Sequence, residues 1–230
     1  MKKKFHQILF RERSVAPLVT FRIGFGLLAL FSVIRFAYKG WIQEFYVQPT
    51  FHFTYYGLDF IKPFSETGMY ILFAVMAISA AGIALGFLYR FSASLFFLAF
   101  TYVELIDKTY YLNHYYFVSL IAFLLIWLPA GKSFSIDNFL FKRRDITHIP
   151  SICIDIIKFQ LILVYFYAGL AKLNHDWLIN AMPLKIWLPA HSSTPILGDL
   201  LSREWVAYAF SWFGALYDLL IPFLLINRRT

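Results

Sequence analysis

Charge is scarce in this sequence. Asp, Glu, Lys and Arg supply 15% of its 230 residues, while 60% are hydrophobic and 21% aromatic, with a mean hydropathy of +0.63. Soluble domains carry roughly 25% charged and about 45–50% apolar residues. A single water-soluble core is therefore excluded, and lipid is the natural solvent. Cysteine is nearly missing: Cys153 stands alone, so no intramolecular disulfide can form. No small-residue cleavage site follows the first apolar run, which is expected to stay as a membrane anchor. The six histidines show no H-x-x-x-H pair and the cysteine no C-x-x-C partner, so no metal or haem is expected. A glycine-rich phosphate cradle, a G-x-S-x-G elbow and internal repeats are also absent, which removes the usual nucleotide and hydrolase readings.

What is present is a series of six apolar runs, near Leu18–Phe36, Met69–Phe87, Phe91–Ile106, Tyr115–Ala130, Ile152–Ala171 and Trp205–Ile226. A span needs about 20 residues, so the third and fourth are short, and polar Asp107–His114 joins them as a hairpin tip. The expected fold is all-α, a polytopic transmembrane bundle of about six spans. The net charge of +8 does not imply nucleic acid, because the basic residues sit in short clusters between apolar runs. Placing the N-terminus inside puts fourteen of the 21 lysines and arginines on the inner side, which predicts cytoplasmic N- and C-termini. Arg22, Arg35 and Lys158 fall within or beside spans and are expected to snorkel to the interface. Lys2–Arg13 reads as an amphipathic surface helix. The outer loops, Gly40–Pro63 and Lys172–Glu204, are dense in aromatics. They suit either an interfacial belt or a lid over an apolar cavity.

Ionisable residues inside a membrane are costly and mark candidate sites. One cluster is Glu104, Asp107, Lys108, Thr109, Asn113 and His114, in which Glu104 and Lys108 are spaced to pair on a helix. The other is the fifth span, where Gln160, Val164, Ala168 and Lys172 form one stripe and Tyr165, Gly169 and Lys172 an adjacent one. Ala168 and Gly169 are small enough for close helix approach. Desolvation disfavours a lysine's charged form, so Lys172 is a plausible base; a snorkelling anchor is the other reading. His114 reads equally as a helix cap.

These stretches resemble the vitamin K-dependent γ-carboxylase family and its bacterial relatives, which share the horizontally transferred transmembrane (HTTM) domain. In family order they are PLVTFRIGFG at Pro17–Gly26, FHFTYYGLDFIKP at Phe51–Pro63, LGFLYR at Leu85–Arg90 and YVELIDKTYYLNHYYF at Tyr102–Phe117. SID at Ser135–Asp137, HIP at His148–Pro150, VYFYAGLAKLNHDW at Val164–Trp177 and the region of Asp218 follow. The resemblance implies one HTTM domain over residues 1–230, lacking the C-terminal part of the family fold, in a bacterial cytoplasmic membrane. It implies oxidation of a reduced vitamin K-type naphthoquinone to its epoxide, coupled to glutamate γ-carboxylation with oxygen and carbon dioxide. On the same ground Lys172 is the catalytic base and His114 the charge-stabilising group. Asp107, Lys108, Thr109, Asn113, Tyr165 and Gln160 are the surrounding quinone-binding residues. The implied partners are membrane lipid, the quinol and a polypeptide substrate. Two other readings stand beside this one: a non-catalytic quinone- or lipid-binding membrane protein, and a small-molecule transporter. The transporter reading calls for broken helices or inverted repeats, and neither is visible.

Overall fold

The computed structural model describes residues 10–226. Its contacts divide the chain into two compact units, residues 1–155 and 156–230. The first holds β1 (Glu12–Ser14), α1 (Ala16–Tyr38), α2 (Glu66–Leu85), α3 (Tyr89–Ile106), α4 (Asn113–Trp127), α5 (Ile136–Leu140) and β2 (His148–Pro150). α6 (Ile152–Lys172) starts at its end. The second unit holds the rest of α6, then α7 (His175–Leu178), α8 (Leu184–Trp187), α9 (Gly198–Leu201) and α10 (Glu204–Ile226).

Among the described residues five helices, α1, α2, α3, α6 and α10, are long and apolar enough to cross a bilayer. α4 is apolar throughout but has 15 residues, about 22 Å of helix against a hydrocarbon core of about 30 Å. Its shortness was visible in the sequence. The helices turn apolar side chains outward: Leu28 on α1 is 71% exposed, Ile78 on α2 72% and Phe213 on α10 67%. Such faces suit lipid contact.

In the first unit α1 packs on α2, α2 on α3 and α3 on α4. Gly26 lets α1 and α2 approach closely. A Cβ there would meet the backbone of Ala80 and Ala84 at 2.5–2.8 Å. α2 starts at Ser65, whose hydroxyl accepts from the Gly68 N–H at 3.3 Å, and stops at Gly86, whose φ of +66° is a left-handed C-terminal conformation that glycine adopts freely. Asp137 caps α3, accepting from the Leu88 N–H at 2.7 Å and the Tyr89 N–H at 3.1 Å.

Arg22 corrects one expectation. It does not snorkel; it is 1% exposed and its guanidinium donates to the carbonyls of Ala84, Ala130, Ser133 and Phe134. Those carbonyls lie where α2 ends and the 130–134 loop turns. A fixed fork of N–H groups is suited to gathering them. Four of the sequence stretches, those holding Arg22, Gly86, Asp137 and His148–Pro150, thus build one end of the unit. β1 pairs antiparallel with β2, Arg13 opposite Ile149. The strand at Glu12–Ser14 overturns the end of the expected Lys2–Arg13 helix; residues 1–9 lie outside the described residues.

In the second unit the short helices between α6 and α10 fold against the start of α10. Lys185 on α8 bonds Glu204 and the Tyr208 hydroxyl, each at 2.8 Å, and these bonds, Glu204 first, hold its ammonium above the ordinary lysine range.

Candidate functional site

The first unit holds a half-open cavity of about 490 Å³ between α1, α3 and α4, with His114 exposed at it. Phe21, Phe25, Leu28, Phe96, Phe100, Phe117 and Ile121 form most of its wall, with Ser32, His114 and Tyr115 as the polar members. Gly24 also lines it, and a Cβ there would meet nothing within 4 Å. His114 is in the first turn of α4, its ring edge-on to Tyr115 at 4.6 Å. The cap position of α4 is Leu112, not His114. Ser32, Val33, Phe100 and Tyr115 are shared with a smaller cavity of about 40 Å³, lined by Glu104 and Tyr46 among others.

Asp107, Lys108 and Thr109 form the turn between α3 and α4. α3 ends at Ile106, and Asp107 is extended (φ −144°, ψ 116°). The chain thereby leaves helical spacing, and the expected Glu104–Lys108 pair does not form. Asp107 is 5% exposed and accepts from the Thr109 N–H at 2.9 Å and hydroxyl at 2.7 Å. Burial pushes its carboxyl up, but the bonds from Thr109, the Phe53 backbone and His52 outweigh it and leave Asp107 below the usual carboxylate range. The Lys108 N–H donates to the Phe53 carbonyl at 2.9 Å, tying the turn to the aromatic loop. Lys108 and Asn113 are exposed. The structure thus places Asp107 and Thr109 as partners of each other, rather than on the cavity wall. The aromatic loop itself divides: Phe45 and Tyr46 pack on Tyr110 and Phe73, while Tyr56 and Phe60 are exposed.

The second unit positions Lys172. At the end of α6, its ammonium donates to the buried Asp218 carboxylate of α10 and lies 5.2 Å from the centre of the Trp177 ring. Trp177 is itself fixed. Its indole N–H donates to the Ser211 carbonyl at 2.9 Å, its carbonyl accepts from the Ser211 hydroxyl, and Asn174 caps its helix by accepting the Trp177 N–H at 2.8 Å. Gly169 fits under Leu219: a Cβ would come within 2.8 Å of that side chain. The small-residue stripe therefore lets α6 and α10 meet near Lys172, as its spacing suggested. Tyr165 faces Tyr217 edge-on at 6.1 Å. Gln160 is twelve residues before Lys172 on one helix, about 18 Å along its axis, so the structure does not bring those two together.

The sequence reading left two of these residues without a role. Asp218 was legible as the lone carboxylate within an apolar span. His52 was not, because its partner Asp107 is 55 residues away.

Several long apolar helices with outward apolar faces define an integral, polytopic α-helical membrane protein. The chain belongs to the HTTM domain family, whose model matches residues 10–230. No solved structure matches it.

Proposed function

We propose that this protein is a quinol-oxidising enzyme of the γ-carboxylase type, with the quinol held in the α1–α3–α4 cavity. The observation that carries the reading is that cavity. Its volume falls in the range of about 300–1,000 Å³ of small-molecule sites, and apolar walls with few polar groups are their usual composition. Phe25, Phe96 and Phe100 suit a flat ring, and the residues fit a reduced naphthoquinone. When bound, that quinol supplies the reducing equivalents for dioxygen, and the coupled reaction adds carbon dioxide to a glutamate γ-carbon.

The chain's own residues have separable tasks. The aromatic wall lowers the polarity around a bound ring, which strengthens the electrostatic interactions made there. His114 offers a directed hydrogen bond to a developing oxyanion. Lys172 is assigned the base, in line with the motif it ends. Its ammonium donates to Asp218, so the base forms when that proton passes to the Asp218 carboxylate; the neutral amine then accepts the quinol proton, and Trp177 fixes its orientation.

The test is binding. Protein in lipid nanodiscs should bind a short-chain reduced naphthoquinone saturably, with Kd below about 100 μM, or −5.5 kcal/mol. Gly24→Phe fills open space in the wall and should raise Kd by about tenfold or more without unfolding the protein. Binding no stronger than to empty nanodiscs, or equal binding by Gly24→Phe, overturns the assignment.

A further inference from the structure

His52 lies in the Phe51–Pro63 stretch, but the resemblance gives it no role and the reaction proposed above does not use it. Its side chain is 9% exposed, and its Nδ1 lies 3.3 Å from Oδ2 of Asp107. The other Asp107 oxygen accepts both hydrogens offered by Thr109. An ionised carboxylate only accepts, so Nδ1 of His52 carries the hydrogen and donates it. In the neutral ring Nε2 is then left with a free lone pair. That Nε2 is buried and has no hydrogen-bond partner. A carboxylate fixing one imidazole nitrogen so that the other can take a proton is the relation by which catalytic histidines are oriented.

His52 also forms part of the wall of another cavity, about 720 Å³, built from the aromatic loop and the start of α2. It shares no wall residue with the α1–α3–α4 cavity. Its charged members are Asp59, Lys62 and Glu66, a net negative set that disfavours anions. Asp59 is already engaged by the Thr54 hydroxyl at 2.6 Å. Tyr46, Phe51 and Phe64 supply rings. A ligand here needs a flat apolar body, no negative charge and one hydrogen to give.

We propose that this cavity is a second ligand site, for a neutral aromatic alcohol whose hydroxyl donates to His52 Nε2, with Asp107 as the positioning residue. The inference stands apart from the quinol reading, since it rests on a different cavity and a different histidine.

The experiment uses the full chain in nanodiscs with ¹⁵N-labelled histidine, assigned by comparison with His52→Gln. The probes are 2-naphthol and its hydrogen-free match, 2-methoxynaphthalene. The His52 ring should be the Nδ1–H tautomer, and 2-naphthol should shift its Nε2 resonance saturably while the methyl ether does not. Asp107→Asn should return a mixture of tautomers and raise the 2-naphthol Kd by about tenfold; Thr109→Val, which removes one donor to Asp107 and leaves His52 in place, should keep the tautomer. In Gly24→Phe the His52 response should persist, so failure of the quinol site and failure of this one are read separately. An Nε2–H tautomer, no shift with 2-naphthol, or equal shifts with both probes overturns the proposal.

Discussion

At the scale of single residues, side chains that looked alike in sequence have opposite tasks. Arg22 and Lys172 are both cations in apolar helices, yet Arg22 meets four carbonyls and Lys172 a carboxylate. Leaving buried acceptors without donors costs about 1–3 kcal/mol each. Arg22→Leu should therefore destabilise the first unit by several kcal/mol, and Arg22→Lys should rescue little, since one ammonium cannot span the same carbonyls. Thermal unfolding in detergent checks both. Lys172→Ala should lower quinol oxidation by about 10²–10⁴-fold, the range for a lost general base, with partial rescue by small amines. Lys172→Arg should not rescue, because arginine keeps its proton. A fully active Lys172→Arg would reduce Lys172 to an anchor. Asp218→Asn should lower the rate at unchanged quinol binding, a split in kcat against KM that a purely structural role would not produce.

At the scale of elements, the α3–α4 turn and the α1–α2 seam decide where the cavity lies. The turn depends on an ionised Asp107. Its carboxyl titrates lower in the folded protein than in an unfolded chain, so its contribution is present above the unfolded value of about 3.9. That contribution fades as pH falls through the lower folded value. The Thr109 amide resonance should titrate with a midpoint below about 3.9, and Asp107→Ala should remove the transition. At the seam, Gly26→Leu would drive a side chain into the Ala80 and Ala84 backbone. It should cost about 1–3 kcal/mol or more as an overpacked contact, measurable as a lower unfolding temperature. Helix existence at this scale was legible from apolar runs alone. So was the turn, as the polar tip Asp107–His114 after Ile106; what was not legible is that Glu104 and Lys108, helical in spacing, are parted by the break at Asp107.

At the scale of the whole molecule, the distribution of basic residues predicts cytoplasmic termini and exterior loops 40–63 and 172–203. In a Cys153→Ala background, Ser193→Cys should react with a membrane-impermeant maleimide added from outside. Reaction only after access to the cytoplasmic side would reverse the topology. The 15-residue α4 is too short to span unaided, so the bilayer is expected to thin locally or the α3–α4 turn to sit below the surface. Accessibility of cysteines placed at positions 108 and 113 separates these outcomes.

Composition and periodicity by themselves determined that the chain is a membrane protein of apolar helices, because hydropathy is a local property summed over a run. The motifs likewise marked Lys172, Asp107 and His114 as unusual, since an ionisable group in an apolar stretch is conspicuous without any coordinates. Only the tertiary structure decided what each one touches. Lys172 with Asp218, His52 with Asp107 and Arg22 with the loop carbonyls are separated by 46, 55 and 62–112 residues. Partners at such distances are chosen by helix packing and chain reversal, which no local pattern encodes. The cavity has the same origin: it exists because Gly24 and the aromatic faces of α1, α3 and α4 leave space between them, and that space is a property of the packed helices rather than of any one segment.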